Sequence, residues 1–319
     1  YLRPFKVSDR MNPVVLDNLV RLRCPVTHRP LKWNGAAFIE KSSGRIYPKI
    51  DGIIHLVPEE ERSADLGDLK HYDHHPFYYY DLHGDEFHSS VIEDELKKFA
   101  NVIPHGAVIC DIGCGGGRVS AYLKNQGFNR TIALDYSTRS LEIVRDQIAV
   151  PVVRVNNLSL PFETQSVDVI ISTGVIHHTP DPIKALTENC RVLREGGWMY
   201  LKVYRYRSYY HGLHFFVGGF MRWLIRRGGI SKVFVDKWLF GLYRFVSGVI
   251  KRGRTKNDSH LRALFYDYFL NPQTQFLRPD IIAATLNKEE MNFTLSQSGR
   301  PTNLYLAKKR TEQTTACVG

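Results

Sequence analysis

A glycine-rich turn is the clearest indication of ligand chemistry in this chain. Four of the five residues from 113 to 117 are glycine, and they stand between an apolar run at 107–111 and a helical pattern at 119–125. Glycines at such a turn let backbone amides approach a ligand at the N-terminus of the helix. The loop therefore predicts a nucleotide-like cofactor. A dinucleotide fingerprint would place its third glycine at Arg118, so hydride transfer from NAD is the weaker hypothesis.

The elements around this loop alternate between strand and helix patterns. Apolar runs at 107–111, 131–135, 152–155, 167–172 and 198–203 are separated by helical patterns. Strict alternation implies right-handed crossovers and a parallel sheet covered on both faces. Adding a closing antiparallel hairpin near the C-terminus, we predict a Rossmann-like, doubly wound α/β sheet of seven mostly parallel strands.

Five motifs in this region occur in the order of a known enzyme family. They are Asp111-x-Gly113-x-Gly115-x-Gly117, Asp135 after the second strand, Leu160-Pro161-Phe162, the loop from Gly174 to Pro182, and the turn from Val192 to Gly197. In these the chain resembles the class I S-adenosylmethionine-dependent methyltransferases that act on small molecules and lipids. The resemblance runs from about Val108 to Val203 and resumes near Phe276.

The resemblance implies S-adenosyl-L-methionine as the cofactor and a set of residues that bind it. Asp135 would accept both ribose hydroxyls, since its two oxygens suit a vicinal diol. Asn156 stands where the family usually has an aspartate for the adenine amino group, and Asn157 is its neighbour. The predicted cofactor-binding residues are Asp111, Gly113, Cys114, Gly115, Gly117, Asp135, Tyr136, Asn156, Asn157 and Thr173.

The catalytic candidates are the adjacent histidines His177 and His178. They follow the fourth strand, at the sheet edge where open parallel sheets bind ligands. A histidine near its ordinary pKa can take a proton from a hydroxyl or an ammonium, but methyl transfer needs a base only if the nucleophile is protonated. In the resembling family one such histidine often holds the loop and the cofactor together. Candidate substrate contacts are Tyr78, Tyr80, Tyr204 and Arg205. A role as packing aromatics explains the tyrosines equally well.

The first 60 residues read as a small β-rich module. Arg23-Cys24-Pro25 and Tyr47-Pro48-Lys49-Ile50-Asp51-Gly52-Ile53 resemble the zinc-ribbon-like activators of transfer-RNA and protein methyltransferases. Zinc needs four ligands, and Thr27 stands where a second cysteine would be required. Five histidines between 71 and 88 lack the spacing of one helix face. We therefore expect no metal.

A basic, aromatic insert interrupts the resemblance. Residues 202–262 contain fourteen Lys and Arg against two acids, a net charge of +12, while the whole chain carries +11. Two amphipathic helices are predicted here, above the carboxyl edge of the sheet. They would enclose a small substrate, rest on an anionic membrane, or bind RNA.

Composition and cysteine usage set the remaining expectations. With 43% hydrophobic and 24% charged residues the chain is globular rather than disordered. Five cysteines without paired spacing favour a reducing compartment, so we expect a cytoplasmic protein, in one hypothesis peripheral at the membrane. The predicted division is a module at 1–60, a linker and lid at 61–105, a methyltransferase core at 106–204 and 276–310, the insert at 205–275, and a tail at 311–319.

The sequence thus predicts a methyltransferase that modifies a hydroxyl, amine or carbon of a small or lipid-linked biosynthetic intermediate. A transfer-RNA methyltransferase is the alternative, with nucleic acid as the less favoured partner. A cofactor-binding scaffold without catalysis is a third hypothesis. The oligomeric state is not predicted.

Overall fold

One continuous sheet organises the chain. The computed structural model describes residues 13–62, 94–148, 150–229, 231, 234–250, 258–271, 273–297 and 301–311. Within these residues eleven strands pair in the order β1-β2-β3-β4-β7-β6-β5-β8-β9-β11-β10. They are β1 (Lys32–Trp33), β2 (Ala37–Ile39), β3 (Ile46–Ile50), β4 (Ile53–His55), β5 (Ile109–Ile112), β6 (Thr131–Asp135), β7 (Val152–Arg154), β8 (Val167–Thr173), β9 (Leu193–Tyr204), β10 (Met291–Ser296) and β11 (Thr302–Lys309).

The helices lie between the strands and in the insert. They are α1 (Pro13–Leu19), α2 (Glu59–Arg62), α3 (Asp94–Ala100), α4 (Arg118–Asn125), α5 (Thr138–Gln147), α6 (Pro182–Val192), α7 (209–226), α8 (235–250), α9 (258–270) and α10 (Pro279–Lys288). Each insert helix contains a π-helical stretch: Leu213–Gly218 in α7, Val235–Leu239 in α8 and Tyr266–Leu270 in α9.

The centre of the sheet has the predicted mixed α/β arrangement. Strands β7, β6, β5, β8 and β9 are parallel, and the hairpin of β10 and β11 joins antiparallel at β9. Successive side chains of β5 enter different clusters: Cys110 and Ile112 pack with α6 and α10, while Ile109 packs with α3 and α4. Apolar burial on both faces accounts for the nearly continuous apolar runs in the sequence.

Strands β1 to β4 of the N-terminal region extend this sheet, so its described part has eleven strands where seven were predicted. Strand β4 pairs in parallel with β7, at Ile54 beside Val153 and His55 beside Arg154. Cys24 and Tyr47 belong to the same buried cluster as the central strands. The described part of the module therefore shares a hydrophobic core with the central strands. Pairing between distant strands leaves no local signal, so the sequence did not reveal it.

The insert is more helical than predicted. Three helices, α7 to α9, take the place of two, and they share a small core built around Met221, Val235, Phe240, Leu261 and Phe265. Among the described helices, none combines the length and apolar character that crossing a membrane requires.

Candidate active site

The glycine turn leaves open space at the end of β5. Gly113, Gly115 and Gly117 all have positive φ, of 67°, 51° and 82°. A Cβ on Gly115 would meet no atom within 4 Å, whereas a Cβ on Gly113 would lie 2.4 Å from Val175 Cγ2. The two positions thus need glycine for different reasons. Gly113 allows the loop after β8 to approach, and Gly115 borders an empty cradle.

A cavity of about 560 Å³ opens at the carboxyl ends of β5, β6 and β8. Nine of the ten predicted cofactor-binding residues line it: Asp111, Gly113, Cys114, Gly115, Asp135, Tyr136, Asn156, Asn157 and Thr173. The exception is Gly117, whose Cβ position lies 2.4 Å from Ile148 Cδ1 and 2.8 Å from Val144 Cγ2. Gly117 is the N-cap of α4 and faces the end of α5, so its role here is packing.

Asp135 is held in place at the end of β6 by two backbone amides. Gly115 N donates to its Oδ2 at 2.8 Å, and Ser137 N donates to its Oδ1 at 2.8 Å. The first bond ties the carboxylate directly to the glycine turn. A carboxylate oxygen can accept more than one hydrogen bond. The geometry is thus compatible with a carboxylate that accepts two neighbouring hydroxyls.

Asp111 is a buried acid at the end of β5, and it anchors the glycine turn through hydrogen bonds to the helix that follows. It is 2% exposed, and its Oδ2 accepts from Ser120 N at 3.0 Å and from Ser120 Oγ at 2.6 Å. Burial raises the pKa of Asp111 to about 6, against the opposing effect of these hydrogen bonds. The bonds join the end of β5 to the first turns of α4.

Two asparagines after β7 differ in their contacts. Asn156 accepts from Leu158 N at 2.9 Å through Oδ1 and donates to Glu61 Oε2 at 2.8 Å. Asn157 is 9% exposed, and neither polar atom of its side chain has a hydrogen-bond partner among the described residues. A buried amide without a partner is costly unless a ligand or water satisfies it. Of the two, Asn157 has the free hydrogen-bonding capacity.

Glu61 is a cavity residue that sequence reasoning missed. It is in α2, and besides accepting from Asn156 it accepts from Tyr136 OH at 2.8 Å through its backbone oxygen. It therefore connects the N-terminal extension to two of the predicted cofactor-binding residues. The acidic run at 59–61 resembles any solvated helix start, so no sequence signal separates Glu61 from its neighbours.

The two histidines point to different environments. His178 lines the cavity, whereas His177 does not and is fully buried. The ring of His177 lies 4.2 Å from that of His178 and 4.0 Å from that of Tyr204, between centroids. Its Nδ1 accepts from Tyr204 N at 3.4 Å, and burial lowers its pKa far below the ordinary value. A single short 3₁₀ turn, Ile176–His178, thus separates one packing histidine from one cavity histidine.

Facing His178 is an acid from the insert, Asp267. Nε2 of His178 lies 3.4 Å from Asp267 Oδ1, and the hydroxyl of Tyr204 donates to Asp267 Oδ2 at 2.6 Å. All three residues line the cavity. Burial lowers the pKa of His178 despite the attraction of Asp267, and raises that of Tyr204 well above its usual range. At neutral pH the cluster therefore contains a neutral imidazole and a neutral phenol.

Hydrogen bonds determine which of these groups can accept a proton. Asn271 Nδ2 lies 3.2 Å from Nδ1 of His178, and Thr274 Oγ1 lies 3.4 Å from the same atom. An amide NH₂ can only donate, so this contact places the hydrogen of the neutral ring on Nε2, facing the carboxylate. Asp267 is then the acceptor in the cluster, and His178 orients it. Sequence reasoning missed Asp267, because one acid in an aromatic helix carries no motif.

Of the remaining substrate candidates, Arg205 is described and does not line the cavity. Arg205 follows β9 and pairs through its backbone with Leu277 and Pro301. Tyr78 and Tyr80, with the predicted lid around them, lie outside the described residues. Cys24 packs with its Sγ 3.1 Å from Tyr47 OH. Within the described ranges no three His, Cys, Asp or Glu residues group as metal ligands, and the expectation about metal stays a prediction.

Comparison with known proteins bears on the same region. Residues 110–201 match the family model described as a methyltransferase domain. Residues 110–201 form a methyltransferase domain. The match implies S-adenosyl-L-methionine as the cofactor, as predicted from the motifs. The empty cradle at Gly115, the anchored carboxylate of Asp135 and the unsatisfied amide of Asn157 suit a ligand with hydroxyls and a polar ring.

Among curated relatives, this chain is similar to proteins with different named substrates. A Bos taurus protein named probable tRNA methyltransferase 9B is 38% identical over 112 residues, which is 34% of this chain and 24% of that protein. The Oryza sativa 2-methyl-6-phytyl-1,4-hydroquinone methyltransferase 1 is 30% identical over 110 residues, 33% of each chain. The chain thus spans about a quarter to a third of the length of these relatives.

Solved structures give a weaker similarity over a longer stretch. A SAM-dependent methyltransferase from Aquifex aeolicus is 13% identical with a TM-score of 0.43, covering 77% of this chain and 99% of that one.

Proposed function

We propose that this chain transfers a methyl group from S-adenosyl-L-methionine to a small or lipid-linked biosynthetic intermediate. The observation that carries the proposal is one cavity that contains both the predicted cofactor residues and the cluster of His178, Asp267 and Tyr204. The glycine turn and Asp135 would hold the cofactor, with Asn157 available to its adenine end. When bound, this cofactor supplies an electrophilic methyl group on a sulfonium.

The polar cluster favours a protonated nucleophile. Methyl transfer is an in-line displacement, so the protein mainly aligns the nucleophile and excludes water. A hydroxyl or amine must also lose a proton, and a carboxylate inside the cavity can receive it. Asp267 would take this proton, while a hydrogen bond from Tyr204 to Oδ2 and the contact of His178 with Oδ1 keep its carboxylate in one orientation. Of the accepting atoms that the sequence left open, oxygen and nitrogen are therefore favoured over carbon.

His178 changes role in this proposal. The sequence offered it as a general base, but its Nδ1 contacts Asn271 and its Nε2 faces Asp267. It acts as a positioning residue for the carboxylate. His177 contributes by packing beneath Tyr204 and His178, without touching the cavity.

Transfer-RNA methylation is the second candidate. The relative named probable tRNA methyltransferase 9B and the +12 charge of residues 202–262 favour it. In a methyltransferase for transfer RNA, the positive surface would bind phosphates and affinity would fall steeply with salt.

One labelling experiment separates the two candidates. The protein is incubated with S-adenosylmethionine carrying a tritiated methyl group, together with either total transfer RNA or a lipid and metabolite extract. Label is then counted in RNA, organic-solvent and aqueous small-molecule fractions. We expect label in the organic or small-molecule fraction, abolished by Asp135→Ala. Label confined to RNA would reject the first candidate in favour of the second, and no label in any fraction would support the scaffold hypothesis.

A further inference from the structure

The outer side of the insert carries an unusual amount of exposed apolar surface. On α7 the large apolar side chains Tyr209, Leu213, Phe216, Phe220 and Trp223 are exposed, with Phe216 at 72% and Phe220 at 60%. Their spacing of three or four residues places them on one stripe of the helix. Scattered apolar residues are normal on a protein surface, but a continuous stripe indicates an interaction site.

The opposite side of the same helix is already packed. Tyr210, His214, Gly218 and Met221 form a second stripe, which is buried. Tyr210 OH donates to Asp267 O at 3.3 Å, and His214 Nδ1 lies 2.8 Å from Tyr268 O. One side of α7 thus packs against α9, the helix that supplies Asp267 to the cavity. Another side presents apolar side chains to solvent. Packing within the described residues does not account for the outer stripe.

Helix α8 repeats this pattern. Phe234, immediately before it, and Trp238, Leu242 and Phe245 within it are exposed, with Trp238 at 63% and Phe245 at 69%. Their spacing is again three or four residues, while Val235 and Phe240 are buried. Two insert helices therefore each present an apolar stripe outward.

Basic side chains accompany both stripes. Arg226 and Arg227 are exposed at the end of α7, and Cζ of Arg227 lies 5.1 Å from the ring centroid of Trp223. On α8, Lys237 and Arg244 are exposed, and Lys237 Nζ lies 6.0 Å from the ring centroid of Trp238. Between 204 and 250 the sequence has a single acid, Asp236. Apolar side chains next to cations are the chemistry that an anionic lipid surface complements.

The same residues fit RNA less well. Arg222, one of the fourteen basic residues between 202 and 262, turns inward and donates to Phe269 O at 2.7 Å. Tyr210 is buried, and Tyr204 faces the cavity, so these tyrosines do not form an outer stacking platform. The exposed stripes consist largely of phenylalanine, leucine and tryptophan, which suit acyl chains and the headgroup boundary.

We propose that α7 and α8 dock the protein on an anionic lipid bilayer, lying in the interface with their outer stripes in the acyl boundary. The cavity then lies behind the docking layer, since α9 contacts α7 and contributes Leu264 and Asp267 to the cavity. A lipid-linked substrate would reach the site from the bilayer. Docking itself does not depend on methyl transfer, so it is measured without cofactor.

The test is flotation with vesicles of phosphatidylcholine, alone or mixed with phosphatidylglycerol. The parent should float with the mixed vesicles, and Phe216→Ser/Phe220→Ser/Trp223→Ser should lower its partition coefficient about 100-fold or more. The matched control, Ile46→Ser/Ile50→Ser/Val102→Ser, alters residues of comparable exposure elsewhere and should bind like the parent. Equal binding of the parent and the α7 variant, or no binding by the parent, overturns the proposal.

A charge variant tests whether the basic side chains beside the stripes contribute to binding of anionic lipid. Arg226→Glu/Arg227→Glu should reduce binding to the mixed vesicles by about 30-fold or more and leave binding to pure phosphatidylcholine unchanged. Light scattering after size exclusion tests whether a second copy of this chain, in place of a membrane, packs on the outer stripes. A parental dimer that the α7 variant dissociates would overturn membrane docking, as would salt-sensitive transfer-RNA binding that the α7 variant abolishes.

Discussion

His178 Nε2 lies 3.4 Å from Asp267 Oδ1, so the loop after β8 and the helical insert meet inside the cavity. Asp267 is 2% exposed, and the hydroxyl of Tyr204 holds its other oxygen at 2.6 Å. A carboxylate fixed from both sides can accept a proton without reorganising. The insert therefore contributes a lining residue of the cavity.

Replacing the carboxylate should separate chemistry from cofactor binding. We expect Asp267→Asn to lower kcat by about 10²- to 10⁴-fold, the usual contribution of a general base. Tyr204→Phe keeps the carboxylate and removes one hydrogen bond to a charged group, worth about 1.5–3 kcal/mol, so its kcat should fall by at most about 10- to 150-fold and by less than that of Asp267→Asn. Steady-state kinetics with the identified substrate checks both. Comparable losses in the two variants would mean that Asp267 positions the site and does not accept the proton.

Loss of the ribose acceptor should weaken cofactor binding. Asp135→Ala removes charge-assisted hydrogen bonds worth about 1.5–3 kcal/mol, which corresponds to a loss of about 10- to 150-fold in affinity. Isothermal titration with S-adenosylmethionine measures it. Glu142→Ala, which removes an acid of α5 that pairs with Arg139 outside the cavity, is the control and should bind like the parent. Parental affinity in Asp135→Ala would remove Asp135 from the cofactor site.

Two alanine substitutions in the glycine turn should differ in what they change. One should lower cofactor affinity, and the other should mainly lower stability. Gly115→Ala places a methyl group in the empty cradle, so cofactor affinity should fall about tenfold or more while left-handed backbone strain costs about 1–2 kcal/mol. Gly117→Ala adds a clash with Val144 and Ile148 to the same strain, so it should destabilise by about 2–5 kcal/mol and change the affinity of the folded protein little. Urea unfolding and calorimetry distinguish them. Equal affinity losses would show that Gly117 also contacts the cofactor.

The cofactor half of the site was largely predictable from the sequence. Asp111, the glycines and Asp135 occur at the ends of adjacent parallel strands, and the alternation of strand and helix places those ends at one edge. The loop after β8 was only half predictable. Neither the motif nor the residue type says which of His177 and His178 faces the cavity, because a 3₁₀ turn has no period long enough to establish a face.

The insert and the N-terminal extension were not predictable in the same way. Asp267 reaches the cavity because α9 packs against α7, a contact between apolar helices that many registers would satisfy. Strand β4 reaches β7 across roughly a hundred intervening residues, and parallel pairing at that distance has no local sequence signal. Both depend on long-range packing, which composition and periodicity do not encode.

His177 should make the stability of the protein depend on pH. Burial lowers its folded-state pKa far below 6.5, and its Nε2 has no hydrogen-bond partner among the described residues. Below pH 6.5 the unfolded chain therefore binds a proton that the folded chain does not, and the free energy of unfolding falls as pH falls, by up to about 1.4 kcal/mol per pH unit for one proton. Asp111 has the opposite effect on stability. Its pKa is raised to about 6, so the folded chain binds this proton before the unfolded chain does as pH falls from 6 toward 4, and this favours the folded state.

Substitution isolates the histidine from the acid. His177→Asn keeps an acceptor near the position of Nδ1 but cannot titrate, so it should be less stable than the parent at pH 7.5 and lose less stability between pH 7 and 5.5. Urea unfolding at several pH values gives both slopes, and His28→Asn, at an exposed histidine, should retain the parental slope. Parallel curves for His177→Asn and the parent would show that His177 does not titrate differently on unfolding. The decline that remains in His177→Asn then combines His178 and His214, whose pKa values burial also lowers, and addition of S-adenosylmethionine would raise both curves without changing their difference.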